Sequence, residues 1–166
     1  MTSKSPSPRE PTFRLIRLED LLEHEEIEPH KVDELVEDIR KTKVVADPIW
    51  VAAGSGVILN GHHRVAALRR LGADRVPAWV IEYYSPDVKV ERWTEGPPIP
   101  KSEVEQRAAE KKLFPPKTTR HVLLNGFEDR MTPLRELMEP SPKARRKGQP
   151  RASRSPRRGA AASDTT

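Results

Sequence analysis

The densest chemistry in this chain is a run of five residues, Asn60-Gly61-His62-His63-Arg64, placed between the apolar VIL (57–59) and the helix-forming VAALRRLG (65–72). A helix that starts here presents unpaired N–H groups and the positive end of its dipole, both of which favour an anion. Gly61 lets a phosphate approach the backbone closely. Two imidazoles add donors, and Arg64 adds a fork that can meet two phosphate oxygens. A solvated strand-to-helix turn is the plainer alternative. Three ligand-type side chains in one turn favour the phosphate site.

Other candidates lie far from this run. The five histidines fall at three places: His24 with His30, His62 with His63, and His121. His24 and Glu25 brought near His62 could build a carboxylate and imidazole site, but no helical HxxxH spacing of a zinc hydrolase is present. The expected metal is therefore magnesium carried by a nucleotide, with no stable direct ligation by the chain. The acidic stretch 23–28 is either a solvated helix entry or the source of one inward carboxylate acting as a general base. Lys117-Thr118-Thr119-Arg120-His121 follows two prolines. If it is extended, Lys117, Thr119 and His121 share a face able to hold a carboxylate or a phosphate; a solvated edge strand is the equal alternative. Trp93 is either core or the wall of a pocket.

These groups need a scaffold, and its elements are legible in the pattern. FRLIRL (13–18) alternates as a half-buried strand does. From Lys31, after a boundary at Pro29, Val32, Leu35, Val36 and Ile39 recur at helical spacing. PIWVAA (48–53) and VIL (57–59) flank Gly54-Ser55-Gly56 as a hairpin. A helix then runs to a stop at Gly72, followed by strands over 76–84 and 87–93. After the Pro-rich 94–100, the spacing predicts a helix over Ser102–Leu113 with Ser102 as cap and Glu105 closing a capping box. Thr132-Pro133-Leu134 reads as the start of a last helical turn, Thr as cap and Pro in first position. No internal repeat is present. The order defines an α+β domain around a small mixed sheet with flanking helices.

With 166 residues and 17 prolines, the chain suits one modest domain over 12–139 between two disordered ends, 1–11 and 140–166. The last segment carries eight Lys or Arg against Asp164, a charge of +7, so the preceding residues sum to −2 within the total of +5. A basic folded face for gripping a duplex is not demanded, although the tail could touch nucleic acid non-specifically. There is no cysteine, which excludes disulfides, thiolate zinc sites and cysteine catalysis. No apolar run reaches membrane-spanning length and no secretory core is visible, so a soluble, cytoplasmic protein is expected.

ILNGHHRVAALRRLGADRVPAWVIEYY (58–84), DVKVERW (87–93), PKTTRHV (116–122) and LLEHEE (21–26) together resemble the free L-serine kinase branch of the ParB/sulfiredoxin-like superfamily. The resemblance covers roughly residues 13–138 and implies the ParB N-terminal/sulfiredoxin-like fold. It implies a magnesium-dependent kinase that moves a phosphoryl group from ADP or ATP to free L-serine, giving O-phospho-L-serine. By matched position, Glu25 would take the serine proton, and Gly61, His62, His63 and Arg64 would hold phosphates beside Asn60. Trp93, Lys117, Thr119 and His121 would bind the amino acid. Two features differ: the branch has Asp where Asn60 stands, and an archaeal-type member has a larger insert between the Trp and PKTTRH motifs. The alternative within the superfamily is a ParB-like nucleotide-binding, DNA-associated regulator. A sulfiredoxin-like repair enzyme lacks its cysteine here.

Overall fold

The computed structural model describes residues 11–124 and 130–138. The elements run β1 (Thr12–Arg17), a 3-10 turn (Leu18–Asp20), α1 (Pro29–Thr42), β2 (Val44–Val45), β3 (Ile49–Ala52), β4 (Ile58–Asn60), α2 (His62–Arg70), β5 (Arg75–Ile81), β6 (Val88–Arg92), α3 (Lys101–Glu110), β7 (Thr119–Leu123), β8 (Thr132–Pro133) and α4 (Leu134–Met138). The domain is α+β, as its pattern implies.

Four strands form the main sheet in the order β1-β5-β3-β4. β5 is antiparallel to β1 and parallel to β3, while β3 and β4 form the expected hairpin. A parallel pair needs a crossover, and α2 supplies it. The two inner strands, IWVA and RVPAWVI, are the apolar ones, which suits strands covered on both faces. β6 and β7 make a separate antiparallel ribbon, with Val90 opposite His121 and Arg92 opposite Thr119.

α1 buries Val32, Val36 and Ile39, the stripe read from its spacing. Pro29 takes the first helical position, and Lys43 ends the helix in the left-handed region (φ 67°) with its N–H on the Ile39 carbonyl. One core cluster joins this stripe to Ile49, Val65, Leu68 and Leu137. The other gathers Leu59, Tyr83, Val88, Val104 and Phe114. It seats the β6–β7 ribbon and α3 against the hairpin.

Several boundaries differ from the sequence reading. β5 stops at Ile81, because Glu82 enters a turn whose carbonyl accepts the Ser85 N–H. α3 starts at Lys101 with Pro100 at the cap; Ser102 is inside the helix and makes no cap bond. The helix ends at Glu110, where Lys111 turns left-handed, short of Leu113. Thr132-Pro133 is not a helix cap. It pairs with β2, and α4 begins only at Leu134, whose N–H bonds the Lys43 carbonyl. The expectations for residues 1–10 and for the basic tail, 140–166, lie outside the described residues. Among those described, no helix is long and apolar enough to cross a membrane.

Candidate active site

Gly61 caps α2 at φ 111°, ψ 22°. A Cβ there would stand 2.4 Å from the Ile49 Cγ2, so the turn excludes any side chain both sterically and by backbone preference. The first two helical residues are the histidines. Nε2 of His62 accepts the backbone N–H of His24 at 3.2 Å, and Nε2 of His63 accepts that of Glu28 at 2.9 Å. An imidazole that accepts at one nitrogen and is neutral must carry its proton on the other. Both rings are therefore held as Nδ1–H tautomers. Burial pushes the pKa of His62 well down, with His24, His121 and His63 adding to the effect; burial also lowers that of His63, helped by the nearby Lys31. The pair supplies neutral donors, not cations.

Arg64 turns the other way. Its Nη1 donates to the Asp47 carbonyl at 3.0 Å and lies 3.9 Å from the Asp47 carboxylate. The guanidinium thus belongs to a second cleft and not to the one that His62 faces.

The acidic stretch delivers one carboxylate inward. Residues 24–26 pair with Phe114: its N–H bonds the His24 carbonyl and its carbonyl takes the Glu26 N–H, both at 2.8 Å. This pairing aims Glu25 at the start of β7, where its side chain is 14% exposed. Oε1 accepts the Thr119 N–H at 3.0 Å and its hydroxyl at 2.7 Å, while Oε2 accepts the Lys117 N–H at 2.8 Å. The remaining acids of the stretch stay nearer water: Glu23 meets Arg69 and Glu28 meets Lys31.

In the PKTTRH motif, Thr119 and His121 point inward and Arg120 outward. Lys117 does not share their strand. It sits before β7 at φ 60°, held through its main chain, and its ammonium lies beside Lys31, which lowers its pKa. His121 bonds the Tyr83 hydroxyl at 2.8 Å through Nε2, and burial pushes its pKa down to about 3. His24 is fully buried, edge-on to His62 and His121, and is pushed down by burial to about 4. Trp93 is an exposed wall and not core, stacked under the Arg120 guanidinium at 5.4 Å.

Two clefts meet at the α2 N-terminus. One, of about 380 Å³, is lined by Glu25, His62, Trp93, Lys117, Thr119 and His121. The other, of about 350 Å³, is lined by Leu35, Ile39, Val44, Asp38, Asp47 and Arg64. Asn60, Gly61 and His63 border both. A larger hollow of about 520 Å³ beyond Lys117 is bordered by prolines and by Arg92 and Arg107. Both of these guanidinia are already bonded, to carbonyls and to Glu103. Every predicted site residue except Arg64 thus borders one cleft. Lys31, Tyr83 and Asp47 escaped the sequence reading. They are single polar residues within otherwise ordinary elements, and only their partners mark them. Among the described residues, no group of three or more His, Cys, Asp or Glu side chains is arranged to hold a metal ion.

This architecture is the ParB-like α+β fold of the free serine kinases. A free serine kinase in complex with AMP superposes with a TM-score of 0.67 at 19% identity, covering 78% of this chain and 94% of that one. SbnI with C-terminal truncation from Staphylococcus aureus gives 0.66 at 14% identity, covering 80% and 91%. In sequence the chain is similar to an ATP-dependent L-serine kinase of Staphylothermus marinus, 42% identical over 83 residues, 48% of this chain and 33% of that protein. It is 32% identical over 85 residues to an ADP-dependent L-serine kinase of Thermococcus kodakarensis, 49% of this chain and 35% of the relative. A ParB-like protein of Sulfolobus acidocaldarius is 43% identical over 70 residues, 42% and 35%. The matched stretch spans about a third of these curated relatives. No protein-family model matches the chain.

Proposed function

We propose that the chain is a nucleotide-dependent kinase that transfers a phosphoryl group from ATP or ADP to free L-serine. The observation that carries this reading is the single cleft in which an inward carboxylate, Glu25, shares walls with the α2 N-terminus and its two neutral histidines. Phosphoryl transfer needs positioning and charge neutralisation more than covalent help. The cleft offers both.

In this reading the adenosine occupies the second cleft. Leu35, Ile39 and Val44 meet the base there, and Asp38 or Asp47 meets the ribose hydroxyls. Its phosphates cross Asn60-Gly61-His63, where backbone N–H groups and the Nδ1–H of His63 donate to them. Serine lies in the first cleft against Trp93 and His121, its carboxylate toward the Lys117 and Lys31 ammoniums. Its hydroxyl gives a proton to Glu25 as its oxygen attacks phosphorus.

Magnesium in this reading travels with the donor's phosphates. Nearby the chain offers Asn60, a neutral amide oxygen, and the single carboxylate of Glu25, which already takes three donors. Among the described residues no charged cluster is arranged to hold the ion. The basic tail takes no part.

The test is phosphoserine formation from L-serine and magnesium with ATP or ADP, comparing the natural chain with Glu25→Gln. Loss of a general base should lower turnover by about 10²-fold or more. A glutamine cannot accept from both Thr119 and Lys117, so the thermal midpoint is measured alongside to separate lost chemistry from a loosened turn. Nucleotide binding without product from either donor would overturn the kinase reading in favour of a nucleotide-binding regulator.

A further inference from the structure

Thr119 Oγ1 stands between two partners, 2.7 Å from Glu25 Oε1 and 2.9 Å from His24 Nε2. A hydroxyl has one proton to give, and an ionised carboxylate only accepts. With Glu25 as a carboxylate, the proton goes to Glu25 and the hydroxyl accepts from His24 Nε2–H. The Ile58 carbonyl beside the ring pulls toward the opposite tautomer, and Nδ1 itself makes no hydrogen bond. The chain His24 Nε2–H to Thr119 O–H to Glu25 Oε1 runs in one direction. Its source is inaccessible to water, since His24 is fully buried.

The consequence is an asymmetry between the two oxygens of Glu25. Oε1 takes two donors from Thr119, its N–H and its hydroxyl, and these occupy both of its lone-pair positions. Oε2 takes a single donor, the Lys117 N–H at 2.8 Å, and keeps one position open. We infer that Oε2 is the oxygen that receives the serine proton, and that Thr119 and His24 are positioning residues that hold the carboxylate for it. The inference rests on the kinase reading above. In the step, the serine O–H bond breaks toward Oε2 as the serine oxygen bonds phosphorus. The bond from phosphorus to the nucleotide breaks, and its electron pair stays on the nucleotide oxygen. This differs from a role for the Thr119 hydroxyl in binding the amino acid directly.

Thr119→Val is nearly isosteric and removes only the hydroxyl. The expected result is a fall in kcat on the order of tenfold or more, with KM for serine within about twofold, and recovery in Thr119→Ser. A raised KM for serine with kcat unchanged would mean that the hydroxyl contacts substrate, and the inference would fall. Nitrogen NMR of the histidine rings gives a readout independent of turnover. His24 should be the Nε2–H tautomer and should shift in Thr119→Val; an Nδ1–H tautomer would reverse the chain and sink the proposal. A natural chain that makes no phosphoserine removes the kinase reading, while the NMR result still decides whether the hydrogen-bond chain exists.

Discussion

Asn60 borders both clefts, immediately before the glycine cap of α2. An amide oxygen there can meet a cation but brings no charge, and a carboxylate would bring both. Asn60→Asp is expected to lower the magnesium concentration for half-maximal turnover by about tenfold. A magnesium titration of both proteins measures this, and identical curves would show that position 60 does not meet the ion. At this scale the sequence was partly readable. Gly61, His62 and His63 were visible because their function is local: a glycine and two donors in consecutive positions at a helix start. The tautomers were not visible, because the N–H groups that set them belong to His24 and Glu28, 38 and 35 residues away. The inward turn of Glu25 depends on Thr119, 94 residues on. Nothing in EHEEIE distinguishes the acid that finds such a partner from those that face water.

The junction of β4 and α2 is the element on which both clefts depend. Its geometry requires a positive φ at Gly61 and a bare α-carbon against Ile49. Gly61→Ala should cost about 1–3 kcal/mol from backbone strain alone, with the Ile49 clash added. It should also weaken nucleotide binding, because the helix start would move. Calorimetry and a nucleotide titration of the folded fraction test the two parts, and an unchanged midpoint would contradict the packing described here. Elements of this kind announce themselves. α1 has a period long enough to read, the hairpin shows the glycines at its turn, and α2 shows Ala and Leu content with a stop at Gly72. β2 and β8 have two residues each, too few for any period, and they exist because residues far apart in sequence meet beside α1. The misplaced start of α3 has the same origin. Ser102 is a good cap in isolation, but Pro100 already directs the chain into the helix two residues earlier.

Across the whole molecule, the buried histidines tie stability to pH. His24 and His121 have folded values near 4 and 3, and His62 also lies well below the ordinary value. Unfolding returns them to about 6.5. Between those limits the unfolded chain binds more protons, so this contribution to stability is complete above about pH 6.5 and is lost as the pH falls toward 4 and below. Each ring removes about 1.4 kcal/mol per pH unit within its window. The thermal midpoint should therefore fall steadily from about pH 6.5 to 4.5. A level midpoint over that range would mean that the three rings are not held neutral.

The two clefts share Asn60, Gly61 and His63 and are otherwise lined by different residues. In the kinase reading, donor and acceptor are bound side by side at that glycine turn, and the phosphoryl group passes directly between them. Initial-rate plots at several fixed concentrations of the second substrate would then intersect, and parallel lines would point to a phosphorylated protein between half-reactions.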